Sequence, residues 1–299
     1  MLRVTVMFTP SHTAEDQSVS FAGSRLILPC ISVGNVGQLA VDLLINTLRL
    51  PRAGHLHHPS LLPLAGSGAY SHTSGLLHTA AEVYHSSELK ITVVQMRTPV
   101  AKVNVFFIRC VSACCRLQGR SREFCDAFLQ WVQSSSFSDT VLLTSSHAHE
   151  RIDSQIQGTP LRYVLSPSVS SSLHSHLSED LDWSSLEPRS SSSSNTAPTT
   201  SQETDGTPGV LDKSQLFFPG SGLAKKLYLK WSSEGVPMVV LVLFSYQGDN
   251  VKEALQLATS LDSWLHLRDS SSILKDKKAW HPPPSWDLMY GGPSPHSLF

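Results

Sequence analysis

The sequence predicts an α/β fold: a single three-layer α/β/α domain with a largely parallel central sheet, a disordered serine-rich insertion and an extended C-terminal tail. Three observations predict it. Strand-like and helix-like segments alternate along most of the chain. The strand-like segments are unbroken apolar runs, Met238-Val-Val-Leu-Val-Leu-Phe244 being the clearest, as expected of strands covered on both faces. The last strand–helix pair is too small to stand alone, so the serine-rich stretch interrupts one domain rather than dividing two.

Residues 1–24 are polar and read as an irregular N-terminal segment ahead of a domain spanning 25–279. Arg25 to Ser32 is the first strand candidate. A glycine turn follows, and then a helix from about Val36 to Leu50. Its polar residues Gln38, Asp42, Asn46 and Arg49 fall four, four and three apart. That single narrow stripe on an apolar helix marks an element buried in a core or under a partner. Pro51 stops it. Residues 51–79, rich in His, Pro, Gly and Ser, read as a long loop.

Ala80-Ala-Glu-Val-Tyr84 and Lys90 to Arg97 read as a hairpin. Arg122 to Ser134 is an amphipathic helix carrying Phe124, Phe128, Leu129, Trp131 and Val132. Asp139 to Thr144 is a buried strand, and Thr159 to Pro167 is short and semi-apolar. Residues 184–212 form the serine-rich insertion, with unbroken serines from Ser190 to Ser194. Such a composition buries too little apolar area to offset chain entropy, so disorder is expected from Ser190 to Pro208. A short helix between Ser168 and Trp183 precedes it. After Met238 to Phe244, Gly248-Asp249-Asn250 caps a final helix from Val251 to about Leu267. The tail, 280–299, is rich in proline and aromatics and ends in Ser297-Leu298-Phe299.

The bulk composition narrows the function. Formal charge is −1 across 299 residues, with 40% hydrophobic residues. Nothing in that balance suggests a nucleic-acid partner or an anionic membrane. The longest apolar runs have about half the length of a membrane span, and the N-terminus lacks the apolar core of a signal peptide. A soluble intracellular protein is the expectation. Five cysteines, Cys30, Cys110, Cys114, Cys115 and Cys125, are an odd number without a secretion signal, which argues against a disulfide framework.

The turn Gly34-Asn35-Val36-Gly37 stands where nucleotide-binding enzymes build a phosphate cradle. A dinucleotide fingerprint needs a third glycine and an acidic residue about twenty positions on, and both are missing. Gly34 and Gly37 therefore read as packing residues and Asn35 as a residue suited to a tight turn. Pro219-Gly-Ser-Gly-Leu-Ala-Lys225-Lys226 has the wrong spacing for a Walker loop and lacks its hydroxyl, so it reads as a turn with a solvated lysine pair. His55, His57 and His58, and the pair His147 and His149, have no carboxylate or cysteine at a spacing that completes a metal site, except Glu150 beside the second, and a site needs three or four converging ligands. Ser145-Ser146-His147 is no hydrolase elbow. No catalytic residue, metal ligand or cofactor site is expected. The tail is the remaining feature: its prolines keep it extended, and a carboxylate beside Leu298 and Phe299 suits a partner's pocket.

Several short stretches together resemble the PAC2 family. They are Ser32-Val-Gly-Asn-Val-Gly-Gln-Leu-Ala40, Ala81-Glu-Val-Tyr84, Phe124-Cys125 with Trp131-Val132, Ser145-Ser-His147, Thr159-Pro-Leu-Arg-Tyr163, Gly248-Asp-Asn250, and Trp286 with the terminal Leu298-Phe299. The resemblance covers the chain from about Met7 to Phe299 and makes 25–279 a PAC2-like domain. It implies a non-enzymatic chaperone of 20S proteasome assembly, present in cytoplasm and nucleus. Such a chaperone pairs with proteasome assembly chaperone 1, binds proteasome α subunits, promotes the α ring and prevents its premature dimerisation. It also implies that Leu298 and Phe299 dock between neighbouring α subunits. The family's docking motif places its aromatic second from last, whereas here it is last. Val103 to Gly119 reads as an insertion relative to the family. The rival readings are a nucleoside-phosphorylase-like enzyme using the Gly34–Gly37 turn, and a generic dimerisation module.

Overall fold

The computed structural model describes residues 7–11, 19–71, 75–100, 119–189, 209–274, 276–287 and 289. In chain order the elements are β1 (Met7–Pro10), β2 (Arg25–Pro29), α1 (Val36–Thr47), β3 (Arg52–His57), β4 (Ala65–Ser67), β5 (Leu77–Thr79), β6 (Ala81–Ser86) and β7 (Ile91–Met96). There follow α2 (Gly119–Ser134), β8 (Thr140–His147), α3 (Asp153–Ile156), β9 (Leu161–Leu165), α4 (Ser171–Ser175) and β10 (Ser184–Ser185). The chain continues through α5 (Ala224–Ser233), β11 (Met238–Ser245), α6 (Val251–Leu265) and α7 (Leu267–Ser270).

One large sheet has the order β1-β3-β6-β7-β2-β8-β11-β9-β10. Its four central strands, β7, β2, β8 and β11, run parallel. Antiparallel pairs extend it through β6, β3 and β1 on one side. On the other side β9 runs antiparallel to β11, and β10 parallel to β9. A separate hairpin joins β4 and β5.

The apolar runs of the central strands follow from cover on both faces. Alternate residues enter two different cores. Leu26, Leu28, Val94, Leu142, Val240 and Val242 pack with Phe128 and Trp131 of α2 and Tyr228 and Trp231 of α5. Ile27, Val93, Val141, Leu143, Val239 and Leu241 pack with α1 and α6 on the opposite face. This is a three-layer sandwich. Phe128 stacks on Trp131 with ring centroids 5.5 Å apart and meets Trp231 edge-on at 5.4 Å, so aromatic contacts reinforce the first core.

Four elements differ from the sequence-based reading. Residues 7–10 form an edge strand, and Phe8 and Phe21 pack against the first core; two aromatics outweigh the polar composition of that segment. The stretch read as a loop from 51 to 79 contains β3, β4 and β5. In β3, Gly54 is too close to β1 to carry a side chain, since a Cβ there would lie 2.2 Å from Thr9 O. The Lys225-Lys226 pair opens α5 rather than standing in a solvated turn: Lys225 Nζ donates to Leu216 O at 2.5 Å and Lys226 Nζ to Ser121 Oγ at 2.7 Å. The helix is legible as buried Ala224, Leu227, Tyr228 and Trp231 at i, i+3, i+4 and i+7.

The fourth difference concerns the rim of the serine-rich insertion. Residues 184–189 pack on β9: Leu186 is buried, its N–H donates to Tyr163 O at 2.9 Å, and Arg162 Nε donates to Glu187 Oε1 at 3.1 Å. Gly209 O accepts from Leu165 N–H at 2.9 Å. A buried arginine needs a paired carboxylate, and Glu187 supplies it. The remainder of the insertion, 190–208, lies outside the described residues, as does the 103–119 insertion apart from Gly119, the first residue of α2.

Candidate functional site

In α/β folds, ligands bind at the C-terminal edge of parallel strands. Here β2, β8 and β11 bring the Gly34 turn, Ser145-Ser146-His147 and Asn250 together at that edge. Gly34 and Asn35 both have positive φ, +64° and +54°, the region that glycine and asparagine tolerate best. The turn is filled from within. A Cβ at Gly34 would lie 2.3 Å from Asn250 Nδ2, and one at Gly37 2.6 Å from Leu143 O. The Val33 N–H donates to Gly220 O at 2.9 Å and the Asn35 N–H to Ser32 O at 3.1 Å.

The hydroxyls of this edge are equally engaged. Ser145 Oγ donates to Val33 O at 2.5 Å and lies 2.8 Å from Ser32 Oγ. Ser146 Oγ donates to Pro219 O at 2.9 Å, and Thr144 Oγ1 to Ser221 O at 3.1 Å. Gly222 presses so close to Ile31 that a Cβ would meet its carbonyl oxygen at 2.0 Å. Where a phosphate-binding crevice would open, these groups tie β8 to the segment after β2 and to the segment before α5. An open depression of about 310 Å³ remains outside the turn, lined by Gly34, Asn35, Leu39, Gln247, Gly248 and Met289.

The histidines make their contacts within the fold. His147 and His149 have ring centroids 4.9 Å apart, yet among the described residues no three His, Cys, Asp or Glu side chains converge as a metal site would require. His55 Nδ1 lies 2.9 Å from Thr79 Oγ1, and His58 Nδ1 accepts from Ser60 N–H at 3.1 Å. Burial lowers the pKa of both, so neither favours its charged form at neutral pH. Cys30 and Cys125 are buried free thiols. Burial pushes Cys125 up to about 11 and Cys30 further, so neither is a ready nucleophile.

One charged cluster lies below the surface. Glu82, fully buried on β6, accepts from Arg52 Nη1 at 3.0 Å, Tyr84 OH at 2.9 Å and Thr79 N–H at 3.2 Å, with His78 Nδ1 3.0 Å away. Arg97 Nε is 3.7 Å off, and its Nη2 donates to Tyr70 OH at 3.0 Å. Tyr70 OH donates in turn to Asp42 Oδ1 of α1 at 2.6 Å, as does Gln95 Nε2 at 2.6 Å. Burial alone would raise the Glu82 pKa. The hydrogen bond and charge of His78, the Arg97 charge and the Tyr84 hydroxyl outweigh it and hold the group at about 2. Burial and the Asp42 charge keep Tyr70 protonated. The network pins the β4–β5 hairpin and Tyr70 onto the sheet and uses Asp42 of the α1 polar stripe.

Asn46, further along that stripe, holds the start of the tail together with its neighbour Thr47. Asn46 Nδ2 donates to His281 O at 2.9 Å and Pro282 O at 3.1 Å, and His281 N–H donates to Thr47 Oγ1 at 2.9 Å. Trp280 Nε1 donates to Thr259 Oγ1 of α6 at 2.9 Å. Arg268, paired with Asp262 at 2.8 Å, lies over the Trp280 ring at 4.4 Å and donates to Lys278 O at 2.7 Å. Trp280 and Trp286 pack against the α1–α6 core, and Pro283 is buried. Leu298 and Phe299 lie outside the described residues.

The PAC2 family model matches residues 26–242. The chain belongs to the PAC2 family. It is 39% identical to Proteasome assembly chaperone 2 of Danio rerio over 288 residues, covering 95% of this chain and 98% of that one. Identity to Proteasome assembly chaperone 2 of Homo sapiens is 33% over 302 residues, covering 98% and 100%. Among solved structures, Pyrococcus furiosus PbaA, an archaeal homolog of proteasome-assembly chaperone, superposes with a TM-score of 0.55 at 13% identity over 83% of this chain and 79% of that one. PbaB, an archaeal proteasome activator from the same organism, gives 0.52 at 12% identity over 92% of each. These two likenesses establish a shared fold.

Within this PAC2-family chain, the stretches that carry the resemblance have structural work to do. Glu82 and Tyr84 belong to the buried network. Arg162 ties down the rim of the insertion, and Asn250 fills the space beside Gly34. What sequence reasoning missed is the seat of the tail, formed by Asn46, Thr47, Thr259 and Arg268. Its signal was the polar stripe: Asn46 belongs to a narrow polar line on a largely apolar helix and needs polar partners.

Proposed function

We propose that this chain is a chaperone of 20S proteasome assembly that works by binding, without catalysis. The observation that carries the reading is its near full-length similarity to proteins named Proteasome assembly chaperone 2. In support, the edge of the sheet where an enzyme of this architecture would hold its ligand is packed with the chain's own carbonyls and hydroxyls. In this reading the chain forms a heterodimer with proteasome assembly chaperone 1, in cytoplasm and nucleus. The pair gathers α subunits, promotes the α ring and prevents premature ring dimerisation. Holding two neighbours at once raises their effective concentration without any bond being made. Leu298 and Phe299 supply the plug that enters a pocket between α subunits.

Co-purification tests this. The intact chain is expected to bring down the sister chaperone and α subunits. A chain lacking Leu298 and Phe299 should keep the sister chaperone and lose most of the α subunits. Undiminished α-subunit recovery after truncation would remove the tail from the reading.

A further inference from the structure

The seat of the tail fixes where the terminal residues start from. The segment from Lys278 to Trp286 is held at α7 by Arg268, at α6 by Thr259 and at the C-terminal end of α1 by Asn46 and Thr47. Seven residues beyond Pro282, Met289 lines the depression beside Gly34, Asn35 and Leu39, at the other end of α1. The segment therefore runs back along α1, opposite to the helix direction. It delivers the chain to the C-terminal edge of the parallel strands. Ten residues, Tyr290 to Phe299, carry the chain from Met289 to the Leu298-Phe299 plug, a reach of at most about 35 Å.

We propose that the Trp280–Trp286 segment is a clamp that sets the tail's point of departure. The face carrying the Gly34 turn and Gln247 is then the one presented to the tail's receptor. The proposal rests on the reading of Leu298 and Phe299 as an α-subunit plug. Asn46, Thr259, Arg268 and Trp280 are positioning residues, since none needs to touch the receptor. With Arg268 still holding Lys278, releasing the Trp280–Trp286 clamp lengthens the tether from ten residues to the 21 from Ala279 to Phe299. Effective concentration falls roughly as the −3/2 power of tether length, so tail-dependent affinity should drop about threefold.

The test titrates α subunits against the full chain in complex with its sister chaperone. Its arms are the parent, the chain lacking Leu298 and Phe299, the clamp variant Asn46→Ala with Trp280→Ala, and a clamped chain with ten Gly/Ser residues inserted after Met289. Sister-chaperone binding serves as the folding control. The clamp variant and the insertion variant are each expected to bind α subunits about threefold more weakly, both with unchanged sister binding. Chymotrypsin should cut after Trp286 faster in the clamp variant than in the parent. Truncation that weakens α binding while both tether variants bind like the parent overturns the clamp alone. Truncation without effect overturns the plug and the clamp together, leaving the sister-chaperone part of the reading intact.

Discussion

Glu82→Gln is expected to lower the unfolding free energy by about 3–5 kcal/mol, as removal of one partner from a buried charge cluster does. The side chain keeps its shape but loses its charge. Arg52 would lose the carboxylate it meets at 3.0 Å, and Arg97 would keep Asp42, 3.6 Å from its Nη1. The effect should depend on pH in a defined direction. With its folded pKa near 2 against an ordinary 4.5, Glu82 binds fewer protons in the native state than in the unfolded one. Its stabilisation, roughly 3 kcal/mol at neutral pH, is complete above about pH 5 and disappears as pH falls toward 2. Urea unfolding of parent and variant at pH 7, 5, 4 and 3 should give midpoints that differ most at pH 7 and converge as acid is added. A gap of constant size would show that the carboxylate charge contributes nothing and that packing alone explains the loss.

Gly37→Ala is expected to destabilise by about 1–3 kcal/mol, the usual range for forcing extra volume into a packed core. Helix propensity pulls the other way, since alanine inside a helix gains about 1 kcal/mol over glycine. Geometry decides between them. The added Cβ would lie 2.6 Å from Leu143 O and 3.4 Å from Cys30 O. Leu143 O already accepts from Cys30 N–H at 2.8 Å, so it cannot rotate away without breaking the contact between β2 and β8. Gly66→Ala is the control: nothing lies within 4 Å of its Cβ, and its φ is not positive. Thermal unfolding should place Gly66→Ala within about 0.5 kcal/mol of the parent and Gly37→Ala clearly below it. A Gly37→Ala protein as stable as the parent would mean that α1 has room to move off the sheet, and the close-packing account of this turn would be lost.

Much of the layered core was legible because its signals are local. The runs in β8 and β11 announce strands covered on both faces, and the pattern of α6 announces its buried side. The hairpin of β6 and β7 follows from two apolar strands with turn residues between them. Other elements depend on distant partners. β3 carries Gly54 and two histidines, a weak strand signal, and exists because β1 and β6 flank it. The 184–189 rim is ordered by Arg162, more than twenty residues earlier. The buried network joins Asp42, Tyr70, His78, Glu82 and Arg97 from five separate points in the chain, and no single stretch reveals that they meet. The closed crevice was half legible. The missing third glycine argued against a nucleotide, but only the fold shows Asn250, Leu143 and Ile31 occupying the space.

The central claim is that the chain assists assembly by holding proteasome α subunits. Its most direct test is reconstitution of purified α subunits with and without this chain and its sister chaperone, followed by native mass spectrometry. The account predicts faster appearance of single seven-membered α rings carrying both chaperones, with few paired rings. Identical ring yields, rates and pairing in the presence and absence of the chain would contradict it.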